Sequence, residues 1–296
     1  MNLGKAKMIL IVAFTGLNLF LGYYLFWPEV GRLASNGSFS PEEQRLAEEW
    51  LNENNYYVQV PMDRSVRVSD FITVTADFRL RSQLIDRFAE TVSFPVETIQ
   101  SLYYRGDKEV MVVHSNGLIQ LRFQPPLAML TENVATADQT LHNEAADLLT
   151  REGLMPEGLR FDYVESKHDG ELILNYIQVF DGLPLYAGTF KIYIKNDMIE
   201  QIDYYLLSPL ESSPDREIET LAAIEALTRL VEDLGPSDTP RAVSGFEFGY
   251  YSGEYDAEKW EVPPVWRFIL DDGQYYYVNA FTGNIEFEAI IPEQLQ

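Results

Sequence analysis

From Met8 to Trp27 the chain runs twenty residues without a charge, and no other stretch limits its arrangement so sharply. Wound as a helix at about 1.5 Å per residue, the run spans roughly 30 Å, the thickness of a bilayer's hydrocarbon core. Tyr23, Tyr24 and Trp27 lie toward one end, where amphipathic rings suit the headgroup level. Lys5 and Lys7 precede the run, so the positive-inside tendency makes residues 1–7 a cytoplasmic tail and carries everything after Trp27 outside. The expectation is a single-pass protein of the cell membrane with residues 8–27 as its transmembrane helix. A cleaved signal peptide is the rival reading. Its apolar core usually runs about 7–15 residues and ends in small residues before the cut. Here the run is longer, and Gly31–Ser35 places Arg32 where a small residue is preferred.

Asn18 sits in the middle of that run. An amide at mid-bilayer finds no water, and leaving it unsatisfied is costly. Ile11, Thr15, Asn18 and Gly22 follow a 4-3-4 spacing and form one stripe on the helix. Small and polar residues on one stripe are what membrane helix pairs use, each such hydrogen bond contributing about 0.6–2 kcal/mol. The stripe therefore reads as a membrane-helix interface. The alternative is an asparagine that bonds its own backbone one turn back.

The 269 residues after Trp27 suffice for one large or two modest domains. Cysteine is absent, which excludes disulfides and thiolate metal sites and leaves the fold to its hydrophobic core. Without Lys5 and Lys7 the exported part holds 46 acidic against 20 basic residues, a net −26. Such a surface repels nucleic acid and anionic lipid or wall polymer. Its plainer use is solubility.

Residues 28–39 read as a polar linker. Ser40-Pro41-Glu42-Glu43 then signals a helix start, with Ser40 as cap, Pro41 at the first helical position and Glu43 completing a capping box. Leu46, Trp50 and Leu51 form its apolar face, and it ends near Asn55. Strands follow at Tyr56–Val60 and through Ser65–Phe78, a helix at Arg79–Glu90, and a hairpin turning at Asn116-Gly117. Gln124-Pro125-Pro126 closes this first unit. A second helix starts at Thr136, where Gln139 completes another capping box. Leu141, Ala145, Leu148 and Leu149 line one face, and Gly153 stops it. From Leu159 to Leu207 a meander turns at Asp181-Gly182 and Asn196-Asp197. Within it Phe190, Ile192 and Ile194 point one way and Thr189, Lys191, Tyr193 and Lys195 the other, so its sheet is wet on one face. A third helix runs from Ser213-Pro214 to a stop at Gly235-Pro236, and strands resume around Phe246, Trp266 and Tyr276, with a turn at Asp271-Asp272-Gly273. Helix followed by antiparallel strands, repeated, predicts an α+β fold. It places one domain at 40–134 and a second at 135–296, each a sheet with helices on one face.

Three histidines exist, His114, His142 and His168, and none has a partner at metal-ligand spacing. No nucleophile elbow, P-loop or dinucleotide fingerprint appears. The acidic pairs fall at a helix start, on a helix and in a turn, where solvated carboxylates are ordinary. No catalytic residue, metal or cofactor is implied, and an enzyme is not expected. The tyrosines are more informative. Doublets and a triplet occur at Tyr56-Tyr57, Tyr103-Tyr104, Tyr204-Tyr205, Tyr250-Tyr251 and Tyr275-Tyr276-Tyr277. Strand neighbours point to opposite faces, so one ring of each doublet enters the core and the other sits on the wet face, where tyrosine favours protein contacts. The plain reading is that tyrosine simply suits strands.

The segment AKMILIVAFTGLNLFLGY resembles the start of the YycI proteins of Gram-positive bacteria. So do FDGLPLYAGTFKIYI at Phe180–Ile194, with Gly182 and Pro184, and Gly249-Tyr250-Tyr251, Pro264-Val265-Trp266 and YYVNAFTGNIEF at Tyr276–Phe287. The last segment is also similar to the terminal hairpin of PepSY-type modules. The resemblance implies a single-span accessory protein that, with a YycH-type sister protein, regulates the WalK/YycG sensor histidine kinase governing cell-wall metabolism. Contacts would run through the membrane helices and exported domains, and homo- or hetero-oligomers are within its scope. It implies structural or interface roles for Gly182, Pro184, Gly249, Tyr250, Tyr251, Pro264, Trp266, Tyr276, Tyr277, Asn279 and Gly283. The alternatives are a PepSY-like module that inhibits a protease or binds cell-wall material, and an anchored wall hydrolase.

Overall fold

The computed structural model describes residues 40–62, 65–89, 93–98, 101–106, 108–129, 138–167, 169–210, 218–253 and 257–290. The expected anchor at Met8–Trp27, its stripe of Ile11, Thr15, Asn18 and Gly22, and the linker lie outside them. Among the described residues no helix is long and apolar enough to cross a membrane. Residues 39–296 form one compact unit, and the boundary expected between residues 134 and 135 falls inside it. The fold is mixed α+β, mostly sheet, with four helices among the described residues.

Local chemistry explains where the first elements begin. Helix α1 (Pro41–Glu53) carries the expected capping box: Glu43 N donates to Ser40 Oγ at 3.2 Å and Ser40 N to Glu43 Oε2 at 2.7 Å. Leu51 is fully buried and Trp50 packs on the same core, but Leu46 points to solvent and Ala47 completes the face in its place. After β1 (Tyr56–Val58), the Ser65–Phe78 stretch resolves into two short strands, β2 (Val68–Ser69) and β3 (Ile72–Ala76). Helix α2 (Phe78–Ala89) opens where Asp77 Oδ1 accepts from the backbone N–H of Arg79 and Leu80. A meander follows: β4 (Ser93–Glu97), β5 (Ser101–Arg105), β6 (Glu109–His114) and β7 (Ile119–Ala128).

Strand β7 does not stop at Gln124-Pro125-Pro126. It continues to Ala128, and its register against β11 (Met198–Tyr205) shifts across the prolines, which donate no ladder hydrogen bonds. Helix α3 (Asp138–Arg151) buries Leu141, Ala145 and Leu149, and Gly153 at φ +64° lets the chain leave it. Thr136, its expected start, lies outside the described residues. Strands β8 (Leu159–Ser166), β9 (Glu171–Phe180), β10 (Leu183–Lys195) and β11 form the expected meander. Both residues of each tight turn, Asp181-Gly182 and Asn196-Asp197, have positive φ, as primed hairpin turns require.

The third helix is shorter than its periodicity suggests. α4 spans Ala223–Leu234, and Ile218, expected on it, lies exposed in β13 (Ile218–Glu219), paired with β2. The apolar spacing of Ile218 and Leu221 is compatible with a helix, but pairing with β2 takes the first of these residues. Strands β14 (Arg241–Tyr250), β16 (Pro264–Leu270), β17 (Gln274–Asn279) and β18 (Ile285–Ile290) complete a thirteen-stranded sheet of order β18-β17-β16-β14-β10-β11-β7-β6-β5-β4, with β9 paired to β10 and β8 to β9. Two pairings in it are parallel, β1 with β14 and β10 with β14, against the antiparallel expectation. β12 (Leu207–Pro209), β3 and β15 (Trp260–Val262) make a separate small sheet.

Strand β10 joins the two halves. Leu185 pairs with Tyr250 of β14, and from Thr189 onward the same edge pairs with β11. Its ladder to β9 shifts between these points, leaving residues 186–188 outside it. Across this gap the Gln178 side chain bonds the Leu207 backbone twice: Oε1 accepts from N at 2.8 Å and Nε2 donates to O at 2.9 Å. A Cβ at Gly188 would stand 1.8 Å from that Oε1. One core lies between the β4–β11 half and helices α2 and α3, and a second between the β14–β18 half and helices α1 and α4.

Gly188→Ala is expected to displace Gln178 and lower stability by about 1–3 kcal/mol. Gly253→Ala, where nothing lies within 4 Å, should stay within about 0.5 kcal/mol. Urea unfolding of the two variants checks the difference.

Candidate interaction surface

Beside the bend in β10, charged side chains from distant strands meet. Arg267 on β16 and Asp162 on β8 form a bidentate pair at 2.8 and 2.9 Å, with side chains only 8% and 7% exposed. Arg160 on β8 and Glu247 on β14 form another, with both bonds at 2.6 Å and more water around it. Tyr186 on β10 donates to Glu247 Oε2 at 2.9 Å, and the Arg267 guanidinium lies 4.8 Å from the Tyr186 ring centroid. Edge strand β8 is thereby drawn against side chains of β14 and β16, and Ile177, Tyr186, Val265, Tyr275 and Tyr277 pack in the seam.

Burial opposes ionisation of Glu247, but the Arg160 guanidinium and the Tyr186 hydroxyl outweigh it and hold the carboxyl below its ordinary value of 4.5. Burial pushes the hydroxyls of Tyr186 and Tyr277 well above the usual tyrosine range. Both stay protonated, and Tyr186 acts as a donor. Nothing here pairs a nucleophile with a base. The seam clamps strands together and offers an aromatic rim, where Tyr251 stacks on Tyr277 at 4.3 Å and the half-exposed Phe287 lies 5.5 Å from Tyr251.

The residues singled out by resemblance fall into several places. Gly182 lies in the turn before β10, and Pro184, Gly249, Tyr250, Tyr251 and Pro264 gather where β10 meets β14 beside β16. A Cβ at Gly249 would come within 2.5 Å of the Pro184 carbonyl oxygen, so only glycine allows that approach. Tyr250 pairs with Pro264 and Leu185, and its hydroxyl lies 3.2 Å from Ser69 Oγ. Trp266 and Tyr276 belong to the core under α4, where Trp266 Nε1 donates to the Leu221 carbonyl at 2.9 Å. Asn279 and Gly283 shape the turn before β18. Asn279 Oδ1 accepts from the N–H of Phe281 and Thr282, and Gly283, at φ +80°, leaves room for Arg229 of α4. Tyr277 lies in the seam.

The tyrosine doublets behave in two ways. Tyr56 and Tyr104 are buried while Tyr57 and Tyr103 are exposed, as alternation predicts. Tyr204 and Tyr205 are both buried, and so are all three of Tyr275-Tyr276-Tyr277, because the sheet is covered on both faces there.

On the outer face of the other half a polar ladder crosses five strands. Asp203 accepts from Tyr193 Oη at 2.9 Å, Gln201 Nε2 at 2.6 Å and Gln120 Nε2 at 3.3 Å. That orientation turns Gln120 Oε1 toward His114, so His114 Nε2–H donates and Nδ1 accepts from Ser101 Oγ, both at 3.1 Å. His142 stacks on Phe161 at 4.2 Å, and His168 lies outside the described residues. Among the described residues no group of three or more His, Cys, Asp or Glu is placed to hold a metal ion.

The spacing rules did not single out Arg160, Asp162, Gln178, Tyr186, Gly188, Glu247 or Arg267. One signal was present: Arg267 in PVWRFIL and Glu247 in GFEFGYY are single charges inside apolar strands, which points to paired interior groups.

Arg267→Ala would leave Asp162 buried and unpaired, a loss of about 3–5 kcal/mol, or roughly 6–20 °C in Tm, read by thermal unfolding. Glu247 has a lower pKa folded than unfolded, so its contribution is complete above about pH 4.5 and disappears as pH falls through the folded value. Glu247→Gln should therefore be less stable than the parent at pH 7, with the gap narrowing as pH falls below about 4.5. Urea titrations across that range measure it.

Comparison with known proteins places the chain. The profile of the YycI protein family matches residues 107–281, more than half of its length. No curated protein matches. Among solved structures, an uncharacterized protein from Eubacterium rectale is similar at 13% identity and a TM-score of 0.47, covering 81% of this chain and 90% of its own. The Bacillus megaterium YpeB C-terminal domain is similar at 11% identity and a TM-score of 0.41, covering 87% of this chain and 100% of its own. The matched segment runs from β6 to the turn before β18 and takes in β10, the ion-paired seam and most of both cores, and the chain belongs to the YycI family.

Proposed function

We propose that this chain is a membrane-anchored extracytoplasmic accessory protein that regulates a WalK/YycG-type sensor histidine kinase together with a YycH-type sister protein. The family match over residues 107–281 carries the reading. Met8–Trp27 supplies the anchor, with the N-terminus cytoplasmic and residues 40–296 outside. Ile11, Thr15, Asn18 and Gly22 contact a helix of the partner. Confinement to one bilayer raises effective concentration, so weak helix contacts suffice for association. Control is a population shift between kinase states, which requires that the complex bind one state more tightly than the other. In the exported body two bidentate ion pairs tie β8 to β14 and β16, a link through which a pull or push on one strand would reach the others.

Asn18→Leu should reduce co-purification of the kinase from solubilised membranes at least several-fold. Thr15→Leu should act in the same direction, while an exchange on the opposite helix face, such as Phe20→Leu, should not. Unchanged capture by Asn18→Leu removes the stripe from the mechanism. Full regulatory competence of a chain starting at Gly31 removes the anchor and favours the freely acting PepSY-like module.

A further inference from the structure

A notch of about 240 Å³ opens between α1 and the segment that follows β1. Gln44, Glu48 and Asn52, spaced by four residues on one stripe of the helix, form one wall, and Gln59, Pro61 and Met62 contribute to the other. Glu48 is the one charged residue of the lining. Its carboxylate receives Gln44 Nε2 at 2.6 Å and, among the described residues, no cation. That bond leaves Gln44 Oε1 buried without a donor. The other α1 carboxylates near it are engaged: Arg45 holds Glu42 and Glu49, and Glu43 serves the cap.

The notch thus offers a carboxylate and the amides of Asn52 and Gln59, on a helix with five glutamates and one arginine. A positive group fits this field and an anion does not. The volume suits one long side chain and excludes a folded element. A metal ion is poorly served, because only one acidic side chain lines the space. An ammonium has three donors around a point. A guanidinium has five in a plane, reaches a carboxylate with two parallel bonds and has donors left for amide oxygens. We propose that this notch receives an arginine side chain carried by a protein partner. The identity of that partner rests on the accessory-protein reading; the arginine chemistry of the notch does not.

The test uses the full chain in detergent micelles, labelled at the methionine methyls, with Met62 as reporter. N-acetyl-arginine amide should shift the Met62 methyl saturably. The citrulline analogue, equal in shape and uncharged, should bind at least 10-fold more weakly, and the lysine analogue at least 3-fold. Glu48→Gln should weaken arginine binding at least 10-fold. Glu49→Gln, on the outward carboxylate held by Arg45, should leave it unchanged. Equal binding of the citrulline analogue, which needs no variant to fold, overturns the proposal, as does full affinity in Glu48→Gln. In parallel, kinase capture from membranes should fall at least 5-fold for Glu48→Gln. Undiminished capture overturns the notch and spares the accessory reading. Arginine binding by a chain that captures no kinase overturns that reading and leaves the arginine site standing.

Discussion

Strand β10 has β9 along one edge and two successive neighbours on the other, β14 near Leu185 and β11 from Thr189. A single strand cannot serve both without bending, and bending breaks the ladder at residues 186–188. Two close approaches make this tolerable. Gly188 leaves space for the Gln178 amide, which bonds the Leu207 backbone where the strand would otherwise lack partners. Gly249 lets β14 come against Pro184. The small β12–β3–β15 sheet is tied in through the same Gln178 and through Ile72, Val74 and Val262, which pack with Leu185 and Ala187.

The bend brings β8 over β14 and β16, and the contact is made by charges. Buried ion pairs contribute little net stability compared with well-packed apolar side chains, because desolvation offsets their attraction. They do penalise misalignment: a one-residue slip of β8 would leave Arg267 and Asp162 buried and unpaired. The seam is therefore better understood as fixing the register of an edge strand than as a source of overall stability. The neighbouring aromatic rings add area without demanding such geometry, which explains why tyrosine fills the seam on both sides of the clamp.

This arrangement also accounts for the failure of simple alternation. Where the sheet is covered once, as along Thr189–Lys195, residues alternate between core and water. Where it turns onto itself, β17 buries five consecutive residues and both faces are interior. Tyrosine tolerates either setting, having an apolar ring and one polar tip, so the doublets could not reveal how many faces were covered.

What the amino-acid order determined by itself was local. The capping box of α1, the primed turns at Asp181-Gly182 and Asn196-Asp197, the stop at Gly153 and the alternation of Phe190, Ile192 and Ile194 depend on neighbours a few residues away. Of the candidate site, the family residues Pro184, Gly249 and Trp266 were legible, though not what each touches. Only the tertiary structure decided the partner change of β10, the parallel pairing of β1 with β14, the start of α4 at Ala223 and the seam. Arg160 and Glu247 are 87 residues apart, and Asp162 and Arg267 are 105. Nothing in backbone preference or hydrophobic period couples positions at that distance; the coupling comes from the bend, and the bend exists only once both halves of the sheet have formed.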